Sequence, residues 1–146
     1  MAAALRNNIG ALLTKTGAAT IATGSYSVQT DVLLIDNITN NALLADFGLT
    51  VAFASAPLLG AIVLVAADWS LEASPAQPAA PTTTLINRYC GTFDRQPQTS
   101  NALLTWKCRI NAIPLTAKTD FYLLNAGTGQ TISANWVLTA QCWSPG

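Results

Sequence analysis

The sequence predicts an all-β fold, a sandwich or barrel of about eight strands, on three observations. Apolar residues recur at every second position in several separate segments, the period of a half-buried strand. These segments are bounded by turn-forming clusters, among them Asp36-Asn37, Asn40-Asn41 and the run containing Pro75, Pro78 and Pro81. No segment shows the sustained periodicity of a long helix.

The totals bound the class. A chain of 146 residues supports one domain with a complete core. It is 51% hydrophobic and only 10% charged, where ordinary soluble domains carry about 25% charged residues. Its surface must therefore rely on Ser, Thr, Asn and Gln, or be covered by partners. Seven basic and seven acidic residues cancel, which gives no electrostatic footprint for nucleic acid. The division expected is an N-terminal arm over residues 1–13 and a single β domain over residues 14–146.

Taken in order, the arm carries Leu5, Ile9, Leu12 and Leu13, interrupted by Arg6, Asn7, Asn8 and Gly10. It lacks the continuous apolar run of a secretory signal. An apolar arm should be covered by something. Residues 14–23 are small and threonine-rich and read as a weak edge strand. Tyr26, Val28, Thr30, Val32 and Leu34 then alternate with Ser25, Ser27, Gln29 and Asp31, a half-buried strand.

The stretch from Phe47 to Ala67 is uncharged and closed by Asp46 and Asp68. Its length would suffice to cross a bilayer. However, Leu43, Ala45, Phe47, Leu49, Val51 and Phe53 keep a period of two, and Ser55, Ala56, Pro57 and Gly60 supply a turn. Residues 61–67 are rich in β-branched residues, and no flanking Lys or Arg marks a membrane boundary. The stretch therefore reads as two buried strands joined by a turn, with no membrane partner.

The prolines of residues 74–81 favour an exposed extended loop. Residues 83–93 resume a strand, and residues 94–101 form a second polar loop. Leu104, Trp106, Cys108 and Ile110 then face one way, and Thr105, Lys107, Arg109 and Asn111 the other, until Pro114. Residues 120–124 form a short strand closed by the glycine-rich 125–129, a hairpin-type loop. Residues 132–142 alternate as the last strand.

The chemistry legible in the chain is sparse. It contains no histidine, the usual general base and commonest metal ligand. There is no GxSxG, P-loop or GxGxxG. Asp46, Asp68 and Asp94 are isolated in sequence, and three scattered cysteines make neither a zinc site nor a disulfide framework. Cys90, Cys108 and Cys142 read as free thiols in a reducing compartment, and if strands 104–110 and 132–142 paired, Cys108 and Cys142 would be close. The expectation is a non-enzymatic protein with no cofactor and no bound metal. Of four tryptophans, Trp106 and Trp136 sit on apolar strand faces and read as core, whereas Trp69 and Trp143 lie at strand ends and are candidate interface aromatics.

The order of segments resembles the small jelly-roll decoration (cement) proteins of tailed-phage capsids. The resemblance runs over residues 43–142. It is carried by Ala45-Asp46-Phe47 through Leu49, Val51 and Phe53 to Ser55-Ala56-Pro57, and by Ile113-Pro114-Leu115, Phe121 to Asn125, Gly127 and Gly129-Gln130. It implies a jelly-roll β-sandwich and a structural virion protein, assembled in the host cytoplasm, that binds the outer surface of an icosahedral shell. The implied partners are the major capsid protein and further copies of itself, as homodimer or homotrimer. The residues singled out for attachment are Leu5, Arg6, Ile9, Leu12 and Leu13, with Trp69 and Trp143. The rival expectation is a tail- or capsid-associated carbohydrate- or receptor-binding jelly-roll module, which calls for exposed aromatics near the 74–82 and 94–101 loops.

Overall fold

The computed structural model describes residues 6–57, 60–82, 88–95 and 104–146, with Arg95 described in its backbone alone. The strands are β1 (Arg6–Asn8), β2 (Leu13–Thr16), β3 (Leu33–Asp36), β4 (Leu44–Ala52), β5 (Ala61–Asp68), β6 (Arg88–Thr92), β7 (Asp94–Arg95), β8 (Thr105–Pro114), β9 (Lys118–Ala126) and β10 (Val137–Pro145). A six-stranded sheet has the order β1-β10-β4-β8-β7, with β2 also on β10, and a four-stranded sheet has the order β3-β9-β5-β6. All pairings are antiparallel.

β1 and β2 occupy successive stretches of one edge of β10, with Asn8 opposite Trp143 and Leu13 opposite Ala140. They act as one edge strand, broken where Gly10 takes a positive φ of 75°. Counting them as one and β7 as an appendage of β8, the two sheets carry the strand orders of a jelly roll. From β2 onward, every link between these strands crosses from one sheet to the other except β5–β6. The expected all-β jelly-roll sandwich is therefore present. The described part of the N-terminal arm is extended and is hydrogen-bonded along the sheet edge.

Alternation explains the core. Ala45, Phe47, Leu49 and Val51 of β4 point inward with Trp106, Cys108 and Ile110 of β8 and Leu138, Ala140 and Cys142 of β10. They meet Ile62, Leu64 and Ala66 of β5 and Phe121 and Leu123 of β9. Phe47 and Phe121 join the two sheets, their ring centroids 4.7 Å apart, and burying each ring contributes about 2–3 kcal/mol. β5 reads as a continuous apolar run because both of its faces are covered. On its outer side Val65, Ala67 and Tyr122 pack with Ala80, from the proline-rich segment.

Several sequence expectations change. Asp94–Arg95, the described start of the expected loop over residues 94–101, form the short strand β7. The alternation from Tyr26 to Leu34 is not one strand, because a 3-10 turn at Gln29–Asp31 interrupts it. The buried Asp31 carboxylate accepts the backbone N–H groups of Ala18 and Ala19 at 3.1 and 2.9 Å, which bends the chain there. The last strand begins at Val137 rather than Ile132, because Asn135 adopts a φ of 67°; Ile132 instead makes isolated bridges to Ile21 and Phe53. Residues 125–129 are not a hairpin, since they carry the chain from β9 in one sheet to β10 in the other. Asn125 organises this crossing. Its Nδ2 donates to the carbonyls of Ile21 and Gln130 at 3.0 and 2.9 Å, and its Oδ1 accepts from Thr128 at 2.6 Å. Finally, β8 and β10 do not pair, because β4 lies between them. Cys108 stands opposite Leu49 and Cys142 opposite Ala45, and both are free thiols, as is Cys90.

Candidate interaction surface

The residues singled out from the sequence fall into three places. Ile9 and Leu13 turn inward and pack against the core, whereas Leu12 is 58% exposed. Leu5 lies outside the described residues. Arg6 and Trp143 come together on the outer face of the first sheet, where the Arg6 guanidinium sits 4.8 Å from the Trp143 ring centroid. Trp69 lies on the second sheet, away from both.

Asp46 is the hub of the Arg6–Trp143 group. The β4–β8 ladder slips at this residue, between Ala45 and Phe47, which leaves Asp46 opposite a bulge. Ala112 of β8 takes a φ of 57° there, and its N–H turns to donate to Asp46 Oδ1 at 2.8 Å. Trp143 Nε1 donates to the same oxygen at 3.0 Å, and Arg6 pairs with Oδ2. Burial alone would raise the Asp46 pKa. The hydrogen bonds from Ala112, Arg6 and Trp143, with the Arg6 charge, outweigh it and hold the carboxyl below its ordinary value. The aspartate thus ties β1, β4, β8 and β10 together at one end of the sheet.

Asp68 makes a comparable junction at the end of β5. Arg88 binds it through two nitrogens at 3.0 and 2.9 Å, and Thr116 and Thr119 donate at 2.9 and 2.8 Å. Burial again pushes the carboxyl upward, and these donors bring it below its ordinary value. Trp69 donates Nε1–H to the buried Asp120 at 3.0 Å and lies beneath Lys118, whose Nζ is 4.0 Å from its ring centroid. Gln77, from the proline-rich segment, donates to the other Asp120 oxygen at 2.8 Å. Asp120 therefore holds both Trp69 and the segment on the second sheet. The segment described over residues 74–82 contains no aromatic side chain.

Two concavities flank the Ile9–Leu13 link. One, of about 220 Å³, lies between that link and Leu34–Asn40. Leu34, 39% exposed, lines it, and Leu12 at 58%, Ile38 at 55% and Leu43 at 60% are further exposed apolar side chains of the N-terminal third. The other is a trough of about 360 Å³ on the outer face of the first sheet, bounded by Leu12 and Arg6 on one side and by Lys107 and Arg109 on the other.

Neither the trough nor Asp46's role was read from the sequence. Lys107 and Arg109 are legible as the polar face of their strand, but a bulge and a shared outer face are products of strand pairing. Among the described residues no group of His, Cys, Asp and Glu is placed to hold a metal ion, and no helix is long and apolar enough to cross a membrane. Compared with family models, curated proteins and solved structures, the chain matches none.

Proposed function

We propose that this chain is a structural virion protein, a capsid decoration or cement protein that binds the outer surface of an icosahedral phage shell as a homo-oligomer. Its action is non-covalent: apolar area buried across neighbouring capsomers resists outward pressure from packaged DNA. The observation that carries the reading is the set of large apolar side chains left exposed, among them Leu12, Leu34, Ile38 and Leu43, of which Leu34 lines the concavity between residues 9–13 and 34–40. A domain with so few charges that leaves such side chains in water is suited to a surface that is covered in use. The jelly-roll strand order and the order of the sequence motifs support the same reading, and a permanent association calls for more than about 1,600 Å² of buried surface per contact.

The test is occupancy on particles. Purified protein is mixed with shells of the phage that encodes it, and bound copies are counted by sedimentation and located by electron cryo-microscopy. Density at symmetry-related positions on the outer surface is expected. Leu12→Asp with Ile38→Asp should stay folded and lose that occupancy. Density confined to the tail, or full occupancy by the double variant, overturns the reading.

A further inference from the structure

We propose that the trough on the outer face of the first sheet is a binding site for an extended acidic peptide segment of a protein partner. The inference stands apart from the capsid reading, because any partner presenting such a segment would satisfy it.

The ladder register defines the trough. One row across the sheet runs Thr14, Thr139, Gly48, Arg109, Asp94, and the next runs Thr16, Val137, Thr50, Lys107. Gly48 stands in the middle of the first row, so the floor is bare backbone. A Cβ there would lie 2.8 Å from Thr139 Oγ1 and would begin to fill the space. The trough therefore exists because this outward position on β4 has no side chain, and its volume of about 360 Å³ falls within the range of ligand clefts, about 300–1,000 Å³.

Charge identifies the occupant. Arg6, Lys15, Arg88 and Lys118 each have a carboxylate within ion-pair distance. Lys107 and Arg109 have none among the described residues, although Asp94 stands across the ladder from Arg109. Both are exposed, and both line the same wall of the trough. They are two residues apart on one face of β8, about 7 Å along the strand. Carboxylates at alternate positions of an extended peptide have the same spacing. Thr50, Thr139 and Gln141 add hydroxyl and carboxamide groups for a peptide backbone, and Leu12 at the rim offers an apolar contact.

A nucleic acid fits less well. The Asp46 carboxylate also lines the trough, and the chain has no net charge to draw a phosphate backbone. The only aromatic among the described residues lining the trough, Phe47, is buried, so the trough offers no platform on which bases could stack.

The experiment uses the full chain and fluorescence anisotropy with three labelled probes: a short peptide alternating glutamate with valine, its glutamine-for-glutamate analogue, and a single-stranded oligothymidylate. Saturable binding of the acidic peptide is expected, weakening as salt is raised. The Lys107→Glu and Arg109→Glu double variant should weaken it at least about tenfold. Gly48→Val, which fills the floor and keeps both charges, should do the same, and circular dichroism establishes that each variant is folded. The surface double variant keeps the test decisive if Gly48→Val fails to fold. Equal binding of the glutamine analogue, tighter binding of the oligonucleotide, or undiminished binding by the folded variants each overturns the proposal.

Discussion

Asp46 allows the bulge in the first sheet to be tested with two substitutions, one that keeps an acceptor oxygen and one that removes it. Both Ala112 N–H and Trp143 Nε1–H donate to Oδ1, at 2.8 and 3.0 Å, while Arg6 pairs with Oδ2. Asp46→Asn keeps an acceptor oxygen for the first two and loses only the Arg6 pair. With the Arg6 side chain 37% exposed, that pair contributes about 0.5 kcal/mol. Asp46→Ala loses everything, and two further hydrogen bonds at about 1 kcal/mol each bring the total to about 2.5 kcal/mol. With a urea slope of about 2 kcal/mol/M, the unfolding midpoint should fall by about 1.2 M for alanine and by about 0.3 M for asparagine.

The pH dependence follows from the same site. The folded-state pKa of Asp46 lies below its ordinary 3.8. Its contribution is therefore present above that value and is lost as pH falls through the folded pKa. The gap between wild type and Asp46→Asn should be complete well above pH 3.8 and narrow as pH falls through 3.8 and below. Equal midpoints for the alanine and asparagine variants at neutral pH, or a gap that does not change with pH, would refute the assignment of these bonds.

Three further perturbations probe the two sides of the sandwich. At Gly17, a Cβ would fall 1.9 Å from Trp136 Cε2, and Trp136 is only 2% exposed. Gly17→Ala should cost about 3 kcal/mol by overpacking, read as a lower melting temperature and a red-shifted tryptophan emission; Gly24→Ala, with nothing within 4 Å and a φ of +79°, should cost only about 1 kcal/mol of backbone strain. On the other sheet, the buried Tyr122 hydroxyl has no hydrogen-bond partner among the described groups, so Tyr122→Phe should leave stability at neutral pH unchanged or raise it by up to about 1 kcal/mol. Burial, and then the Asp120 charge, push the Tyr122 pKa from 10.0 up to about 12. Its neutral form thus contributes stability that is complete below pH 10 and lost as pH rises through 12. Melting curves over that range should show a shallower decline for Tyr122→Phe, with a remainder from Tyr26, which its hydrogen bond to Tyr89 also raises to about 12.

The sequence by itself located most of the core, although it also put Leu34, Leu43 and Leu104, all exposed, on apolar faces, and β3 buries Leu33 and Ile35 instead. Alternation placed Ala45, Phe47, Leu49 and Val51 on one side of β4 with Phe53 just beyond it, Trp106, Cys108 and Ile110 on one side of β8, and Trp136 among the buried residues. This is local information, because a strand's two faces are fixed by the period of its own chain. Alternation failed where a side chain from elsewhere intervened: Asp31 captured two distant N–H groups and turned the chain, and the left-handed Asn135 delayed β10. The surface was less legible. The sequence marked Arg6, Leu12 and Trp143 but not their relation, and it treated Ile9 and Leu13 as surface although they pack on the core. Only the tertiary structure decided that β4 separates Cys108 from Cys142, that Asp46 meets a bulge from β8, and that Gly48 lies level with Thr139 and Arg109. These facts depend on which strands become neighbours and in what register. In a jelly roll nearly every link crosses between sheets, so neighbours in space are remote in sequence, and local periodicity carries no record of them.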